Sequence, residues 1–440
     1  MTATGASTGP PRLATASWVI YDLANTIFAL GVVGFYFSDW LVAEGHPDSY
    51  LAVVQVAAAA VVIFLAPWVG ARSDVLGKRV PALAVTTVLA VAATALLAGG
   101  PVWLTLAMLW LAVVAVNTGS VVYDALLVDV STEGNRGRVS GFGVGVGYVG
   151  SFIGVGLGIL ALDVLDWGYP GVFGLIALAF LVFAIPAFVF VHERPGVADA
   201  PLPTVGDIAA RLARSWRTAS TYEGVVPFLV GRFFYTDAIN TLIGGFLAIF
   251  VIDELGLDRG FFTVLLVVAI AGAVVGGIGA GPIIERTGPL KVLRAVLVVW
   301  VLAIAAGVAA AVTGLTEIAW LIGPLGGIAL GATWASDRVV MVRISPPSHL
   351  GEFYGLYATV GRFATIVGPL IWVVIVDVAG LPRSVAMGAL GVFIVVGWAI
   401  VGRVDDRVRE WAGSDRLVDP ASGGVAPPHC LSETRDVPRS

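Results

Sequence analysis

The sequence is short of charge, histidine and cysteine, and each shortage removes a class of function. Asp, Glu, Lys and Arg make up 12% of the 440 residues, about half the share of an ordinary soluble domain, so lipid is the expected solvent. The single Cys430 excludes an internal disulfide framework and any cysteine metal site. The four histidines (His46, His192, His349 and His429) fall in expected loops or the tail. A zinc or haem centre within the membrane therefore has no ligands, and no cofactor is expected. Lysine stands only at Lys78 and Lys291; this is a compositional bias rather than a functional signature.

What the chain has in abundance is apolar sequence, with 58% hydrophobic residues and a mean hydropathy of +0.94. Apolar runs lie near 18–42, 50–69, 80–98, 103–128, 139–161, 171–191, 228–252, 261–283, 295–313, 317–337, 352–377 and 384–402. Each is long enough to cross a hydrocarbon layer of about 30 Å. Such segments must be helical, because lipid cannot satisfy an open strand edge. The expectation is an all-α membrane protein of twelve transmembrane helices. Residues 1–16 are polar and the first run is too long for a signal-peptide core, so no cleavage is expected.

All but four of the 25 Lys and Arg fall on the side holding both termini and the even-numbered connections. Arg259 and Arg383 lie opposite, and Arg232 and Arg362 fall within spans. The positive-inside rule then places both termini in the cytoplasm of a multi-pass plasma-membrane protein. The net charge of −5 says little about partners, and no nucleic acid is expected.

The polar stretch 192–227 splits the spans six and six. The expected layout is a tail (1–16), a first half (17–191), a linker (192–227), a second half (228–402) and a disordered tail (403–440). Within the linker, Thr204 with Asp207 fits a helix start. Ile208, Leu212 and Trp216 form an apolar stripe, and Arg211, Arg214 and Arg217 lie off it. That pattern suits a tether lying on the membrane surface with its basic side toward headgroups.

The halves resemble each other. DLANT at 22–26 returns as DAINT at 237–241, and GARSDVLGKRV at 70–80 returns as GPIIERTGPLKV at 281–292. Asp124 pairs with Asp337, and GYVGSFIG at 147–154 pairs with GRFATIVG at 361–368. The offsets agree within four residues, which argues for a duplicated six-helix unit whose copies run parallel. Asp22, Asn25 and Thr26 share one helix face, as do Asp237, Asn240 and Thr241. Polar residues on one face of a membrane helix point to a protein-lined or watery cavity.

These segments are familiar. The loop at 70–80 resembles the motif between the second and third spans of the major facilitator superfamily. YDLANTIF, DALLVDVSTEGNRGRVSGFGVGVGYVG, RFFYTDAINTLI and GEFYGLYATVGRFATIVGPL resemble signature segments of its vacuole-effluxer branch, named for fungal autophagy-related vacuolar amino-acid exporters. The branch commonly has Trp at Leu23 and Ser at Thr26, and a basic residue at Val75. The resemblance implies two pseudo-symmetric six-helix bundles that rock about a mid-membrane site. It implies export of a small, amino-acid-like solute, with protons as a candidate coupling ion and a monomer as the expected state. Asp22, Asn25, Thr26, Asp237, Asn240 and Thr241 form the candidate site, with Asp124, Tyr235 and Arg362 as neighbours. Arg362 is the candidate for binding a substrate carboxylate, although buried ion pairs that merely fix the helices remain open. Gly70, Asp74, Gly77, Lys78 and Arg79, with Gly281, Glu285 and Gly288 in the second copy, are the expected gating loops.

Other motifs carry less. The loop spacing excludes a phosphate-binding loop, since six residues separate Gly70 from Gly77. Gly143, Gly147, Gly150, Gly154 and Gly158 fall along one helical face, which reads as close helix packing and not as a dinucleotide fingerprint. Asn117, Ser120 and Asp124 form a polar stripe with Tyr123 beside it. Trp18, Trp40, Trp103, Trp167, Trp320 and Trp398 near the span ends read as an aromatic belt. A membrane-embedded enzyme would need a catalytic set at one face, and none is found. A transport-inactive receptor and a drug or metabolite efflux pump stay as alternatives.

Overall fold

The computed structural model describes residues 12–131, 136–192, 204–346, 349–405 and 407. The expected N-terminal and C-terminal tails and part of the linker lie largely outside them. The described residues are helical, with no strand among them. The first half comprises α1 (Arg12–Ala43), α2 (Ser49–Leu76), α3 (Arg79–Ala95), α4 (Val102–Ala125), α5 (Arg136–Ile159) and α6 (Gly168–Phe190). The linker helix α7 (Val205–Ser220) follows. The second half holds α8 (Val225–Glu254), α9 (Arg259–Thr287), α10 (Pro289–Thr313) and α11 (Ile322–Ile344). It ends with a broken span, α12 (Leu350–Phe363) and α13 (Val367–Val373), and then α14 (Arg383–Val401). Eleven spans are long and apolar enough to cross a membrane; α3, with 17 residues, is the shorter twelfth.

The duplication holds in three dimensions. α1 packs on α5 and α6, α3 on α4 and α6, and α2 on α4; the second half repeats each pairing as α8 on α12 and α14, α10 on α11 and α14, and α9 on α11. Both repeated loops turn on a glycine with positive φ, Gly77 (59°) and Gly288 (92°), a conformation that a side chain would strain. The glycine face of α5 lies against α1, as its spacing predicts. Gly143 meets Trp18, Gly147 meets Asp22, Gly150 and Gly154 meet the carbonyls of Leu23 and Ile27, and Gly158 meets Tyr36.

The aromatic belt is partly corrected. Trp103, Trp167 and Trp320 are exposed, but Trp18 and Trp40 are buried. Trp18 stacks on Tyr123 at 4.6 Å and donates Nε1–H to the Tyr123 carbonyl at 3.0 Å, so it joins α1 to α4 rather than facing headgroups.

In the linker, Thr204 and Asp207 close a reciprocal capping box at the start of α7. The two bonds from Thr204 hold the Asp207 carboxyl below its ordinary range. α7 packs on α2, α8 and α12 through Leu212, Ser215 and Ala219, while Trp216 and the three arginines are exposed. The apolar stripe is thus rotated slightly from the one its spacing suggests; the Ile208 side chain lies outside the described residues.

Candidate transport site

With an even number of spans in each half, Arg12 and Val401 lie on one side of the molecule, here called the base. At the far side the two halves are fastened together. Arg383 at the start of α14 grips Asp48 of the first half through two bonds of 2.8 and 2.9 Å, and Trp372 adds a third to the same carboxylate at 2.8 Å. On its other flank Arg383 pairs with Asp253 at 2.6 Å, and Glu254 accepts from the backbone N–H groups of Arg383 and Ser384. Ser49 N–H donates to Asp377, Arg259 pairs with Asp163, and Phe35 packs on Phe262. The two arginines that the topology places opposite the termini therefore both bridge the halves.

Between the halves lies a cavity of about 610 Å³. Asn25 and Thr26 of α1, Asn117 and Ser120 of α4, and Tyr148 of α5 line one wall; Asn240, Arg362 and Thr365 line the other. Deeper toward the far side the lining turns apolar, with Phe28, Phe262, Trp300, Ile304 and Met387. Toward the base, beyond the lining residues, Asp124 and Arg338 are solvent-exposed.

The charges on this side of the cavity divide by half, with Arg362 alone of the four in its lining. Asp22 and Asp124 belong to the first half, Arg338 and Arg362 to the second. Asp22 lies within electrostatic reach of Asp124 and Arg338, and Asp124 within reach of Arg362 and Arg338. Among the described residues none of these four is in an ion pair with another.

The remaining sequence-derived candidates sit elsewhere. Asp237 is fully buried behind the wall, its carboxylate oxygens in no hydrogen bond among the described residues, and Thr241 donates to its backbone carbonyl at 2.7 Å. Tyr235 is buried beside Asp337. Arg232 does pair with an acid: its Nε meets Asp337 Oδ2 at 3.2 Å, its Nη1 donates to the Tyr357 carbonyl at 3.1 Å, and Tyr357 O–H donates to Asp337 Oδ1 at 2.9 Å. The guanidinium carbon lies 3.6 Å from the Tyr357 ring centre. This closed set fixes α8, α11 and α12 and faces no solute.

In the loops expected to gate, Arg79 pairs with Asp129 of its own half at 2.9 Å, and Lys78 is exposed. Ser73 Oγ–H donates to the Gly70 carbonyl at 2.7 Å, while the Asp74 side chain lies outside the described residues. Glu285 is exposed near the end of α9, and Gly281 lies within that helix with open space beside it.

Residue reading alone misses Arg338, which falls one residue past the expected span end but within α11, and Gln55, whose amide donates to the Gly244 carbonyl across the halves. Gln55 is the chain's one glutamine, inside an apolar run, and that was the available signal. Trp300, held by its N–H to Thr333 Oγ1 at 3.2 Å, carried no signal among so many apolar residues.

Comparison with known proteins agrees with this architecture. A family profile described as "vacuole effluxer Atg22 like" matches residues 126–409. An uncharacterized MFS-type transporter, YxiO of Bacillus subtilis, is 26% identical over 410 residues, covering 89% of this chain and 94% of its own. Autophagy-related protein 22-1 of Aspergillus niger is 24% identical over 338 residues; the match covers 68% of this chain and about half (53%) of the fungal protein. Among solved structures, the nucleoside transporter NupG superposes with a TM-score of 0.66 at 13% identity, over 89% of this chain and 99% of its own. A bacterial homologue of the lysosomal transporter Spinster, inward-facing and unoccupied, gives 0.60 at 16% identity, over 88% and 95%.

Proposed function

We propose, from the premise that this chain belongs to the vacuole effluxer Atg22-like family of MFS-type transporters, that it exports a small zwitterionic, amino-acid-like solute by alternating access. The observation that carries this reading is the division of charge across the cavity. An amino-acid carboxylate suits the fork of Arg362 on the second half, and an ammonium suits Asp124 or Asp22 on the first. A solute held at both ends draws the two walls together, which is the motion that closes the base and loosens the far-side contacts of Arg383. Its apolar side chain then rests against Trp300, Ile304 and Met387. Binding between two parallel repeats near the membrane midplane is the general arrangement of this architecture.

Two finer points belong to the same reading. Asp22, half-buried on α1 one turn from the cavity-lining Asn25 and Thr26, exchanges a proton during the cycle, and Asp22→Asn abolishes pH-driven transport. The loops at Gly70–Arg79 and Gly281–Gly288 latch the base when it closes. In this reading the base faces the cytoplasm, which the excess of arginine on that side supports.

Counterflow in proteoliposomes tests the solute class. Neutral amino acids exchange, whereas their methyl esters, which lack the carboxylate, and the corresponding decarboxylated amines do not. Arg362→Gln abolishes the exchange. Equal exchange of acid and ester, or an Arg362→Gln protein with full activity, overturns the proposal.

A further inference from the structure

The repeated Asp-x-x-Asn-Thr segment meets unlike partners in the two halves. In the first half it faces α5, which runs unbroken through Gly147 and Gly150, and Asp22 lies directly over Gly147. In the second half it faces a span that is interrupted. α12 ends at Phe363, Ala364 leaves helical geometry (φ −76°, ψ 44°), and α13 starts afresh at Val367. An interrupted helix exposes carbonyls at one end and N–H groups at the other, and within a membrane these must find protein partners.

Asp237 and Asn240 stand at those two ends. The Asn240 amide donates to the Ala364 carbonyl at 2.9 Å and to the Gly361 carbonyl at 3.4 Å, so it caps the end of α12. The buried Asp237 carboxylate stands beside Gly368 in the first turn of α13, with neither oxygen in a hydrogen bond among the described residues. Its Oδ2 lies 3.0 Å from the place a Cβ on Gly368 would take, and Thr241 Oγ1 is nearer still, so only glycine fits. Between the two ends lie the residues that reach the cavity. Arg362 is in the last turn of α12, Thr365 is in the interruption, and Thr365 Oγ–H donates to the Arg362 carbonyl at 2.7 Å.

We propose that Asp237 and Asn240 are positioning residues that clamp the interruption between α12 and α13 and thereby aim Arg362 and Thr365 at the solute. The duplicated acids have thus parted in surroundings: Asp22 is half-buried over the unbroken α5, and Asp237 is fully buried against the interrupted span. The consequence for solute affinity rests on the reading of Arg362 given above.

The test uses the full-length protein with Cys430→Ser and a single introduced thiol, T365C, probed with a membrane-impermeant thiosulfonate. Asn240→Ala and Asp237→Asn change the modification rate of T365C about fivefold, the weight of one hydrogen bond. S151C on the opposite wall reacts unchanged. Asn240→Asp, which sets a carboxylate against carbonyls, has a larger effect than Asn240→Ala. Asn25→Asp, at the equivalent place beside the unbroken helix, leaves T365C unchanged. In counterflow the Asn240→Ala protein shows a raised KM with kcat largely kept, which a general loss of folding would not give. If T365C reacts at the wild-type rate in both Asn240→Ala and Asp237→Asn, the clamp is refuted, whatever happens to transport. If T365C responds as expected but Arg362→Gln leaves KM unchanged, the clamp stands and the role of Arg362 falls.

Discussion

Asp124 and Asp337 occupy the same place in the two repeats, and the structure predicts opposite consequences for removing them. Asp337 is fully buried, and its partner Arg232 is 5% exposed. Asp337→Ala leaves the guanidinium in the bundle with only the Tyr357 carbonyl and ring beside it. Breaking a buried pair in this way costs about 3–5 kcal/mol. Tyr357→Phe removes a single donor to Asp337 Oδ1 and costs about 1–3 kcal/mol. Replacing both charges, in Arg232→Met with Asp337→Leu, recovers most of the loss because no ion is left unpaired. Asp124 is exposed and, among the described residues, in no ion pair, so Asp124→Ala costs about 0.5 kcal/mol or less. It instead weakens solute exchange. The assay is unfolding of purified protein in mixed micelles of rising denaturing-detergent content, followed by tryptophan fluorescence, with counterflow measured on the same samples. Equal destabilisation by Asp124→Ala and Asp337→Ala, or a double variant no better than Asp337→Ala, refutes the reasoning.

Other expectations follow from the same geometry. Arg383→Ala removes the link from Asp48 to Asp253 and shifts the population toward a far-side-open form, read as faster labelling of thiols placed at Gln55 from that side. Gly150→Val drives a side chain into the Leu23 carbonyl, separates α1 from α5 and lowers thermal stability. For the linker, the Asp207 carboxyl is held below its unfolded value by Thr204. Its contribution is therefore present above about pH 4 and is lost as pH falls through the folded value, so α7 frays in acid. Hydrogen exchange over residues 204–220 measures this, and Thr204→Ala removes the pH dependence.

How much of this was legible follows from which signals are local. The duplication could be read because it is a matter of offsets, and the close packing of α5 because glycines line one of its faces, although not that α1 is the partner. The cap of α7 could be read because it rests on two residues three apart. The interruption between α12 and α13 was not legible. GYVGSFIG and GRFATIVG share only their end glycines, and nothing in the other positions marks a break; Gly150 of the first is Ala364 of the second, and there the helix gives way. The depth of Asp237 was hidden for the same reason, since the side of α8 that carries it packs on that break, with Gly368 beside the carboxylate. Arg338 was counted with the loop because a span end cannot be fixed to one residue from hydropathy. Trp18 was assigned to the interface because tryptophans near helix ends usually lie there; its burial depends on Tyr123, 105 residues away.

The central claim is that the halves rock about the cavity, so the far-side contacts must part in every cycle. Ser49 N–H and the Asp377 carboxylate, on opposite halves, meet there at 2.7 Å. In a Cys430→Ser background, S49C with D377C can be joined by oxidation and freed by reduction. The account predicts that the oxidised protein still binds solute from the base but gives no counterflow, and that reduction restores it. Full counterflow by the cross-linked protein would contradict the account.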